Sequence, residues 1–388
     1  MEKQIKEFDS LIDLLEDLDS EGITGEEKRE KVDRFLLLKS RVHGRPYSAA
    51  FELTPRCNFD CKMCYVHLNE AQIQKEGRVL TTEQWLDIAR QTVDAGVNLV
   101  ELTGGECLTH PGFSEIYTYL IQRGIRVTVF TNGQLISDEI VRLFHQYPPA
   151  MVQISVYGSN PEAYVKVTRR DAFQDVMDAI TKLKEAKINL TLAVTPNRFM
   201  QEDVGPLLEL IHSWGLRYRI GASTLPARPE TGREIADYVV DNEIYHQISK
   251  LEKEFWKNKN DSATVRKSNY RFSVKGLEPG SGIPCAAGSA TFQINWKGEM
   301  TPCPAFFTVT KSVLDSSIEE VWQWIRETMQ RWQEPAECGT CPDKIRCMGC
   351  PGEKTSGVLN GSVNPWVCKR CNELNNTGAA DLVDCIEE

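Results

Sequence analysis

Residues 57–64 read Cys-Asn-Phe-Asp-Cys-Lys-Met-Cys, which places three cysteines in the spacing C-x3-C-x2-C. The segment follows directly on an apolar run at residues 49–54 that predicts a buried β-strand. Loops at the carboxyl ends of parallel strands are where α/β proteins place their chemistry. Three thiolates on so short a loop can ligate three irons of a cubane and leave the fourth iron open. We therefore predict a [4Fe–4S] cluster on Cys57, Cys61 and Cys64.

Zinc is the alternative metal for this loop. Structural zinc normally takes four protein ligands, and no fourth ligand lies at a standard spacing from the three cysteines. His67 is close enough in sequence to be considered as that ligand. An iron–sulfur cluster needs no fourth protein ligand, since its open iron can bind a substrate or a cofactor.

The region from about residue 48 to 222 alternates short apolar runs with amphipathic helical stretches. The apolar runs are residues 49–54, 99–103, 127–131, 152–156, 190–194 and 218–221. Strand–helix units in series predict parallel strands joined by right-handed crossovers. Because six strands are fewer than the eight of a closed barrel, we predict an α/β fold with an open, partial (β/α)6 barrel. A doubly wound sheet is the structural alternative.

The cysteine spacing after the first barrel strand resembles the signature of the radical S-adenosylmethionine (SAM) superfamily. The resemblance covers roughly residues 48–222. It implies that the open iron binds the amino and carboxylate groups of SAM, and that one-electron reduction then releases a 5′-deoxyadenosyl radical that abstracts hydrogen from a substrate. Many members have an aromatic residue before the third cysteine, where this chain has Met63. Adenine contacts are therefore expected from Met63 or from Tyr65.

Two glycines and an acid after the second strand, Gly104-Gly105-Glu106, resemble the family motif that binds the SAM amino group. Glycine lets the backbone approach a ligand closely, and the Glu106 carboxylate can accept charge-assisted hydrogen bonds from an ammonium group. Residues 131–133, Thr-Asn-Gly, resemble another family feature after the third strand, with a simple turn as the alternative.

Candidates for the remaining SAM contacts also come from the resemblance. Ser155, on the fourth strand, is expected near the SAM ribose or carboxylate. Arg169 and Arg170 each fit an arginine that pairs with the SAM carboxylate in related enzymes, and each could equally end a helix in solvent.

A second group of eight cysteines lies in the last quarter of the chain. They are Cys285, Cys303, Cys338, Cys341, Cys347, Cys350, Cys368 and Cys371. Their spacing over about residues 285–371 resembles the SPASM domain, a C-terminal extension of many radical SAM enzymes that carries auxiliary iron–sulfur clusters. The family usually has three residues before the fourth cysteine of the central run, where this chain has two. A zinc ribbon on the four cysteines of residues 338–350 is the alternative.

Eight thiolates suffice for two auxiliary [4Fe–4S] clusters with four ligands each, which would leave no open iron and favour electron transfer. The resemblance implies that Cys285, Cys303 and Cys350 share the nearer cluster. It implies that the outer cluster takes the following four cysteines: Cys338, Cys341, Cys347 and Cys368. Cys371 is the candidate to complete the nearer cluster, and an exchange with Cys368 stays open.

Two cysteines stand apart from both groups. Cys107 follows Glu106 near the predicted active site, where it would be a small buried residue or the donor of a hydrogen atom to a substrate radical. Cys385 lies in an acidic C-terminal tail.

Periodicity and composition predict the organisation of the rest of the chain. We predict a helical N-terminal segment at 1–45 packed as a cap, the barrel at 46–222, a bridge at 223–284 with a helix near 243–256, and the SPASM region at 285–388, where metal rather than regular secondary structure is expected to organise the chain. The net charge of −10 disfavours a nucleic-acid partner. Without an apolar stretch long enough for a bilayer or a signal peptide, we expect no membrane partner and a cytoplasmic location.

Members with SPASM domains commonly modify peptides or proteins by crosslinking, oxidation or epimerisation, so the predicted substrate is a peptide or protein and the predicted reductant a flavodoxin or ferredoxin. The first alternative is a dehydrogenase or epimerase of a small molecule such as a sugar. The second is a non-catalytic cluster carrier, which the combination of cysteine triad, Gly-Gly-Glu motif and Ser155 disfavours.

Overall fold

The structure is a computed structural model that describes residues 5–221, 225–239, 244, 247–248, 250–252, 254–255, 271–274, 285–341, 350–355, 363 and 367–368. Its strands are β1 (Ile5–Phe8), β2 (Ser48–Glu52), β3 (Leu99–Thr103), β4 (Arg126–Thr131), β5 (Met151–Ser155), β6 (Leu190–Val194), β7 (Arg217–Ile220), β8 (Arg271–Val274), β9 (Thr291–Ile294), β10 (Glu299–Thr301) and β11 (Lys311–Ser312). Its helices are α1 (Leu11–Ser20), α2 (Gly25–His43), α3 (Glu70–Glu76), α4 (Thr82–Asp94), α5 (Phe113–Gln122), α6 (Asp138–Gln146), α7 (Pro161–Thr168), α8 (Phe173–Glu185), α9 (Val204–Ser213), α10 (Ile318–Gln330), α11 (Ala336–Gly339) and α12 (Pro351–Thr355).

The central sheet has the strand order β11-β10-β9-β2-β3-β4-β5-β6-β7. Strands β2 to β7 pair in sequence order and are parallel throughout. The six predicted strands are confirmed, and each lies within two residues of its expected bounds. The sheet does not close on itself among the described residues, because β7 is the last strand at one edge and β11 at the other.

The helices between these strands begin and end where the local sequence indicates. Thr81 and Gln84 form the predicted capping box of α4, and Ser137 caps α6 through the backbone N–H of Ile140. Gly96 and Gly124 follow helices with φ values of +83° and +80°, a conformation that glycine adopts without strain.

The two faces of the sheet differ in polarity. Val100 and Leu102 on β3 are fully buried against the helices, in one continuous apolar core. Successive side chains of a strand alternate between faces, so Glu101 and Thr103 lie on the opposite, inner face. On that face Glu101 pairs in register with Thr128 of β4. The inner face of the barrel is therefore polar enough to receive a polar ligand.

The C-terminal region joins the same sheet. Strand β9 pairs in parallel with β2, in the register Ser48 with Thr291, and β10 and β11 continue antiparallel from it. Helix α10 follows with a Ser317–Glu320 capping box. The expectation of little regular structure here is wrong for residues 291–330. The strands are only 4, 3 and 2 residues long, so their apolar alternation is too brief to register as a pattern.

The N-terminal segment also differs from its expectation. Residues 5–8 form β1, which pairs in parallel with β8, rather than the first turn of a helix. Ser10 caps α1 and accepts from the backbone N–H of Asp13, so the helix begins after the strand despite the helical spacing of the apolar residues. No helix in the described part of the chain is both long and apolar enough to span a bilayer. The described residues of the predicted 243–256 helix are helical, and the others lie outside the described residues.

Candidate active site

The cysteine loop, residues 53–69, connects β2 to α3 at the carboxyl edge of the sheet. The backbone N–H of Phe59 donates to Cys57 Sγ at 3.3 Å, and that of His67 donates to Cys64 Sγ at 3.2 Å. Burial raises the pKa of all three thiols, and Cys61 also interacts electrostatically with Cys57 and Cys64. Iron–sulfur ligands bind as thiolates, and N–H···S bonds are their usual support. The loop therefore fits an iron–sulfur cluster.

The three thiols do not form a site for a single metal ion. Within the described ranges, no three His, Cys, Asp or Glu side chains converge closely enough to hold one metal ion. In a cubane each protein thiolate ligates a different iron. His67, the candidate fourth ligand of a zinc site, has its Nδ1 3.3 Å from the carbonyl of Pro55 and its Nε2 4.0 Å from Asp60.

The Gly-Gly-Glu segment packs directly on the start of the cysteine loop. The backbone N–H of Gly105 donates to Thr54 O at 2.7 Å, and that of Glu106 donates to Arg56 O at 2.9 Å. A Cβ on Gly104 would lie 2.6 Å from Thr54 O, and a Cβ on Gly105 would overlap Arg56 O. Only glycine permits this approach, so these two residues set the distance between the β3 loop and the cysteine loop.

Glu106 is buried and braces the ends of two neighbouring strands. Its carboxylate accepts from Thr131 Oγ1 at 2.8 Å and from the backbone N–H groups of Asn132 at 2.7 Å and Leu108 at 3.2 Å. Burial is the main cause of its raised pKa, which these donors oppose. These three donors fix the position of the carboxylate, and the direct contact to an ammonium group that the sequence suggested stays a prediction.

Asn132 connects that brace to the cysteines. Its side-chain amide donates to Asn58 Oδ1 at 2.7 Å and lies 3.7 Å from Cys57 Sγ. The Thr-Asn-Gly segment therefore lies at the site, and it links the β4 end to the cysteine loop. The sequence left open whether these residues form a simple turn or part of the active site. The contact between Asn132 and the cysteine loop favours the second interpretation.

The remaining residues predicted to contact SAM lie at different positions around the site. Ser155 ends β5 and is half-buried, like Tyr157 two residues further along the chain. Arg169 ends α7 with a φ of +57° and is paired with Asp60, with Nη1 2.7 Å from Oδ2. Arg170 is exposed. The structure brings Ser155 to the carboxyl edge of the sheet and directs Arg169 to the cysteine loop.

A buried ion pair that the sequence did not reveal lies beside Tyr65. Arg228 donates to Glu52 Oε1 at 2.7 Å and to Oε2 at 2.6 Å, and Gln293 Nε2 donates to the same carboxylate at 2.8 Å. The Arg228 guanidinium lies 5.8 Å from the centre of the Tyr65 ring. Met63, the other candidate for adenine contact, is 6% exposed in the core. The one available sequence signal was Glu52, a charge inside an apolar run.

Arg228 belongs to residues 225–239, which we call the strap. The strap runs over the cysteine loop, where the backbone N–H of Arg228 donates to Tyr65 O at 3.2 Å. Arg233 of the strap donates to Asp60 Oδ1 at 2.6 Å and to His67 O at 3.1 Å. The sequence indicated only a bridge here, since a polar segment without periodicity carries no sign of its contacts.

Polar groups also lie on the strands of the barrel itself. Gln153 on β5 is 5% exposed, and its Oε1 has no hydrogen-bond partner among the described residues. Burial raises the pKa of the Glu101 carboxyl, against an opposing effect of Arg219. Arg219 of the edge strand β7 lies 5.5 Å from the ring centre of Phe130 on β4. Such groups can hold the polar part of a substrate below the cysteine loop.

Part of the second cysteine group also converges. Cys303 interacts electrostatically with Cys285 and Cys350, and burial above all raises its pKa to about 12. Helix α12 carries Cys350 to this position, because Gly352 packs so closely on Ala305 that a Cβ would lie 2.7 Å from the alanine methyl. The three cysteines that the family resemblance grouped in the nearer cluster are thus neighbours in the fold.

The other cysteines are only partly described. Cys338 is buried on α11, and the backbone N–H of Cys341 donates to Cys338 O at 3.4 Å. Cys368 is half-buried. Cys347, Cys371 and Cys385 lie outside the described residues.

Cys107 lies in the apolar core rather than at a cavity wall. It is fully buried, and its Sγ is 3.3 Å from the carbonyl of Phe130. Burial raises its pKa well above the usual range of a thiol. This environment fits a small buried residue, the first of the two roles considered for it.

Comparison with protein families agrees with this geometry. The model of the radical SAM superfamily matches residues 51–211, and the model of the SPASM iron–sulfur cluster-binding domain matches residues 285–348. The chain therefore carries a radical SAM domain followed by a SPASM domain, as the sequence predicted. The first domain binds a [4Fe–4S] cluster and SAM, and the second binds auxiliary iron–sulfur clusters.

The relatives of the chain are diverse. It is 25% identical over 277 residues to the sporulation killing factor maturation protein SkfB of Bacillus subtilis (strain 168), a match that covers 71% of this chain and 64% of SkfB. It thus spans slightly less than two thirds of that relative. It is also 25% identical over 332 residues to the AdoMet-dependent heme synthase of Methanosarcina barkeri, covering 79% of this chain and 91% of the synthase.

A solved structure shares the fold. Streptococcus suis SuiB bound to the precursor peptide SuiA superposes with a TM-score of 0.64 at 16% identity, over 88% of this chain and 80% of SuiB. At that identity the likeness establishes the architecture, and both parts of the chain are included in it.

Proposed function

We propose that this chain is a peptide-modifying radical SAM/SPASM enzyme whose Cys57, Cys61 and Cys64 hold the SAM-binding [4Fe–4S] cluster. Bound there, SAM supplies a 5′-deoxyadenosyl radical that takes hydrogen from a peptide or protein residue. The result would be a crosslink, an oxidation or an epimerisation. The observation that carries the proposal is the meeting of three thiols, two N–H···S donors and the Gly104–Gly105 contact at one edge of the sheet.

The residues around the loop have separate roles in this proposal. Gly104 and Gly105 hold the β3 loop close enough for their backbone to meet the amino group of SAM. Ser155 faces its ribose or carboxylate, and Tyr65 its adenine. Glu106 accepts a hydrogen bond from the amino group of SAM, while the three donors of the chain hold its carboxylate in place. Arg169, paired with Asp60, stabilises the loop instead of the SAM carboxylate.

We assign the auxiliary clusters to the second cysteine group. Cys285, Cys303 and Cys350 would hold the nearer cluster, completed by Cys371 or Cys368. The outer cluster would take the remaining set, Cys338, Cys341, Cys347 and the other of these two. With all irons ligated by protein, these clusters would carry electrons between the substrate, the SAM-binding cluster and a flavodoxin- or ferredoxin-type donor.

A peptide substrate is supported by two features. SkfB is named a maturation protein, and SuiB was solved with a precursor peptide. In addition, the sheet is open at β7, where Arg217 and Arg219 are exposed. An extended peptide could enter at this edge and present one residue to the inner face of the barrel.

The first test is SAM cleavage by the reduced, anaerobically reconstituted protein. Changing Cys57, Cys61 and Cys64 together to Ala should abolish 5′-deoxyadenosine formation. Cys107→Ala is the matched control, since Cys107 lies in the core and any role in donating hydrogen would come after cleavage. Undiminished cleavage by the triple variant would refute the cluster assignment.

The second test concerns the substrate. A short peptide encoded beside the gene, incubated with the enzyme, SAM and reductant, should lose two hydrogens on crosslinking or oxidation, or gain one solvent deuterium at an α-carbon on epimerisation. Mass spectrometry measures both. An unchanged peptide together with turnover of a metabolite would replace the peptide by a small molecule.

A small-molecule substrate is the second candidate, and one observation favours it. The match to the heme synthase covers 91% of that protein, while the match to SkfB covers 64%. A panel of sugars and tetrapyrroles in the same assay would distinguish this candidate by substrate-dependent 5′-deoxyadenosine formation.

A further inference from the structure

The strap contacts the cysteine loop at its middle and near its end. Near the end of the loop, the backbone N–H of Arg228 bonds to Tyr65 O at 3.2 Å, and Gln72 Nε2 reaches back to Glu230 O at 3.0 Å. Near its middle, Arg233 bonds to Asp60. Because the strap lies between the barrel and the C-terminal domain in sequence, these contacts make the loop's geometry depend on a segment outside the barrel strands.

Arg233 is the residue of the strap that contacts the loop twice. One guanidinium nitrogen lies 2.6 Å from Asp60 Oδ1, and Asp60 directly precedes Cys61. The other nitrogen lies 3.1 Å from the carbonyl of His67, whose own N–H donates to Cys64 Sγ at 3.2 Å. A planar fork with two fixed donors suits this geometry, and a lysine could make only one of the two contacts well.

The charge of Arg233 is also poorly screened. Its side chain is 17% exposed, whereas Arg169, which holds the other oxygen of Asp60 at 2.7 Å, is 53% exposed. Two guanidinium groups on one carboxylate leave a net positive charge beside the cysteines. Partly buried charges act over longer distances than exposed ones, because solvent and salt screen them less.

We propose that Arg233 is a positioning residue that holds the cysteine loop in its cluster-binding shape and raises the reduction potential of the cluster bound there. The proposal rests on the assignment of Cys57, Cys61 and Cys64 as cluster ligands. One electron converts the [4Fe–4S]²⁺ state to [4Fe–4S]⁺, so the cluster gains a negative charge on reduction. A fixed cation nearby stabilises the reduced state and shifts the midpoint to a higher potential.

The test is a dithionite titration of the reconstituted full-length protein, followed by EPR. The signal that changes on addition of SAM identifies the cluster of this loop. Arg233→Gln should shift its midpoint to a lower potential and speed its loss to a chelator. Arg233→Lys should keep most of the potential, because the charge remains, but lose the cluster faster than wild type. Arg169→Gln, which removes the exposed partner of the same carboxylate, should shift the midpoint less than Arg233→Gln.

Two results would overturn the inference. The first is a midpoint in Arg233→Gln equal to that of wild type. If Arg233→Gln binds no cluster, Arg233→Lys replaces it, and a midpoint of Arg233→Lys far below that of wild type would then overturn the inference, because lysine keeps the charge. The second is an equal shift in Arg169→Gln, which would indicate a general surface effect. A wild-type protein with iron elsewhere but no SAM-responsive signal would instead contradict the proposed function, so the two failures are distinguishable.

Discussion

The backbone N–H of Asn132, at the end of β4, donates to Glu106 Oε2 at 2.7 Å, at the end of the neighbouring β3. The same Asn132 reaches Asn58 of the cysteine loop through its side chain. A buried carboxylate thus fixes the position of a residue that contacts the cysteine loop. Satisfying a buried carboxylate with three donors stabilises it, and removing it leaves those donors unpaired.

We predict that Glu106→Ala lowers the free energy of unfolding by roughly 2–4 kcal/mol, since each unsatisfied buried donor costs about 1–3 kcal/mol. Thr131→Val removes only the hydroxyl, which donates to Glu106 and accepts from the backbone N–H of Gly133 at 3.0 Å, and should cost about 1–2 kcal/mol. Chemical denaturation of the two variants against wild type measures both. Equal losses in the two would show that the carboxylate makes no larger contribution than one hydroxyl contact.

Gly105→Ala should destabilise the protein by about 1–3 kcal/mol, because the new methyl overlaps Arg56 O and the backbone must move. The displaced cysteine loop should also retain less iron after reconstitution. Gly205→Ala, in helix α9, is the control. Among the described residues its Cβ would contact only Leu251, at 3.9 Å, so the substitution should leave stability unchanged or raise it by up to about 1 kcal/mol. Normal iron content in Gly105→Ala would contradict the positioning role of this glycine.

Arg228→Ala should lower the free energy of unfolding by about 3–5 kcal/mol, because it leaves the 1%-exposed Glu52 without its cation. The double variant Glu52→Leu with Arg228→Met should recover most of that loss, since apolar replacement of a buried pair is often neutral. Urea unfolding of single and double variants measures the coupling. Additive losses in the double variant would mean that the two side chains act independently.

Glu101 should make stability depend on pH. Burial raises the pKa of its carboxyl above the ordinary 4.5, so the folded protein keeps this proton to a higher pH than the unfolded chain. Between the two pKa values the folded state binds more protons, and the free energy of unfolding falls as pH rises. Glu101→Gln removes this contribution, so its stability advantage over wild type should grow as pH increases above 4.5. Denaturation midpoints over the acidic to neutral range measure it, and an advantage that shrinks with pH would reverse the sign of the shift.

Metal analysis separates clusters from zinc. Three cubanes predict about twelve irons per chain after anaerobic reconstitution, at about four irons each. The zinc-ribbon alternative for residues 338–350 predicts about four irons and about one zinc. Iron and zinc assays on the same sample decide between them, and the Cys57, Cys61 and Cys64 triple variant should lose about four irons in the first case.

Local sequence predicted much of the fold, because its signals repeat along the chain. The six barrel strands could be placed within two residues, since each apolar run ends at a polar or glycine-containing loop. The helix caps at Thr81 and Ser137 form as their residue types indicate. Strands β9 to β11 were missed because a strand of two to four residues shows no periodicity, and its pairing with β2 decides its conformation.

The cysteine spacing predicted a three-thiolate metal site, and its resemblance to the radical SAM signature indicated the class of chemistry. The tertiary structure decided how that loop is held. Arg233 and Asp60 are 173 residues apart, and Gln293 and Glu52 are 241 apart. Each such contact joins two polar side chains that are distant in the sequence, and a single pair leaves no repeating pattern there. Only the folding of the strap and of β9 against β2 brings these groups together, and there the buried charges are paired because burial without a partner would be too costly.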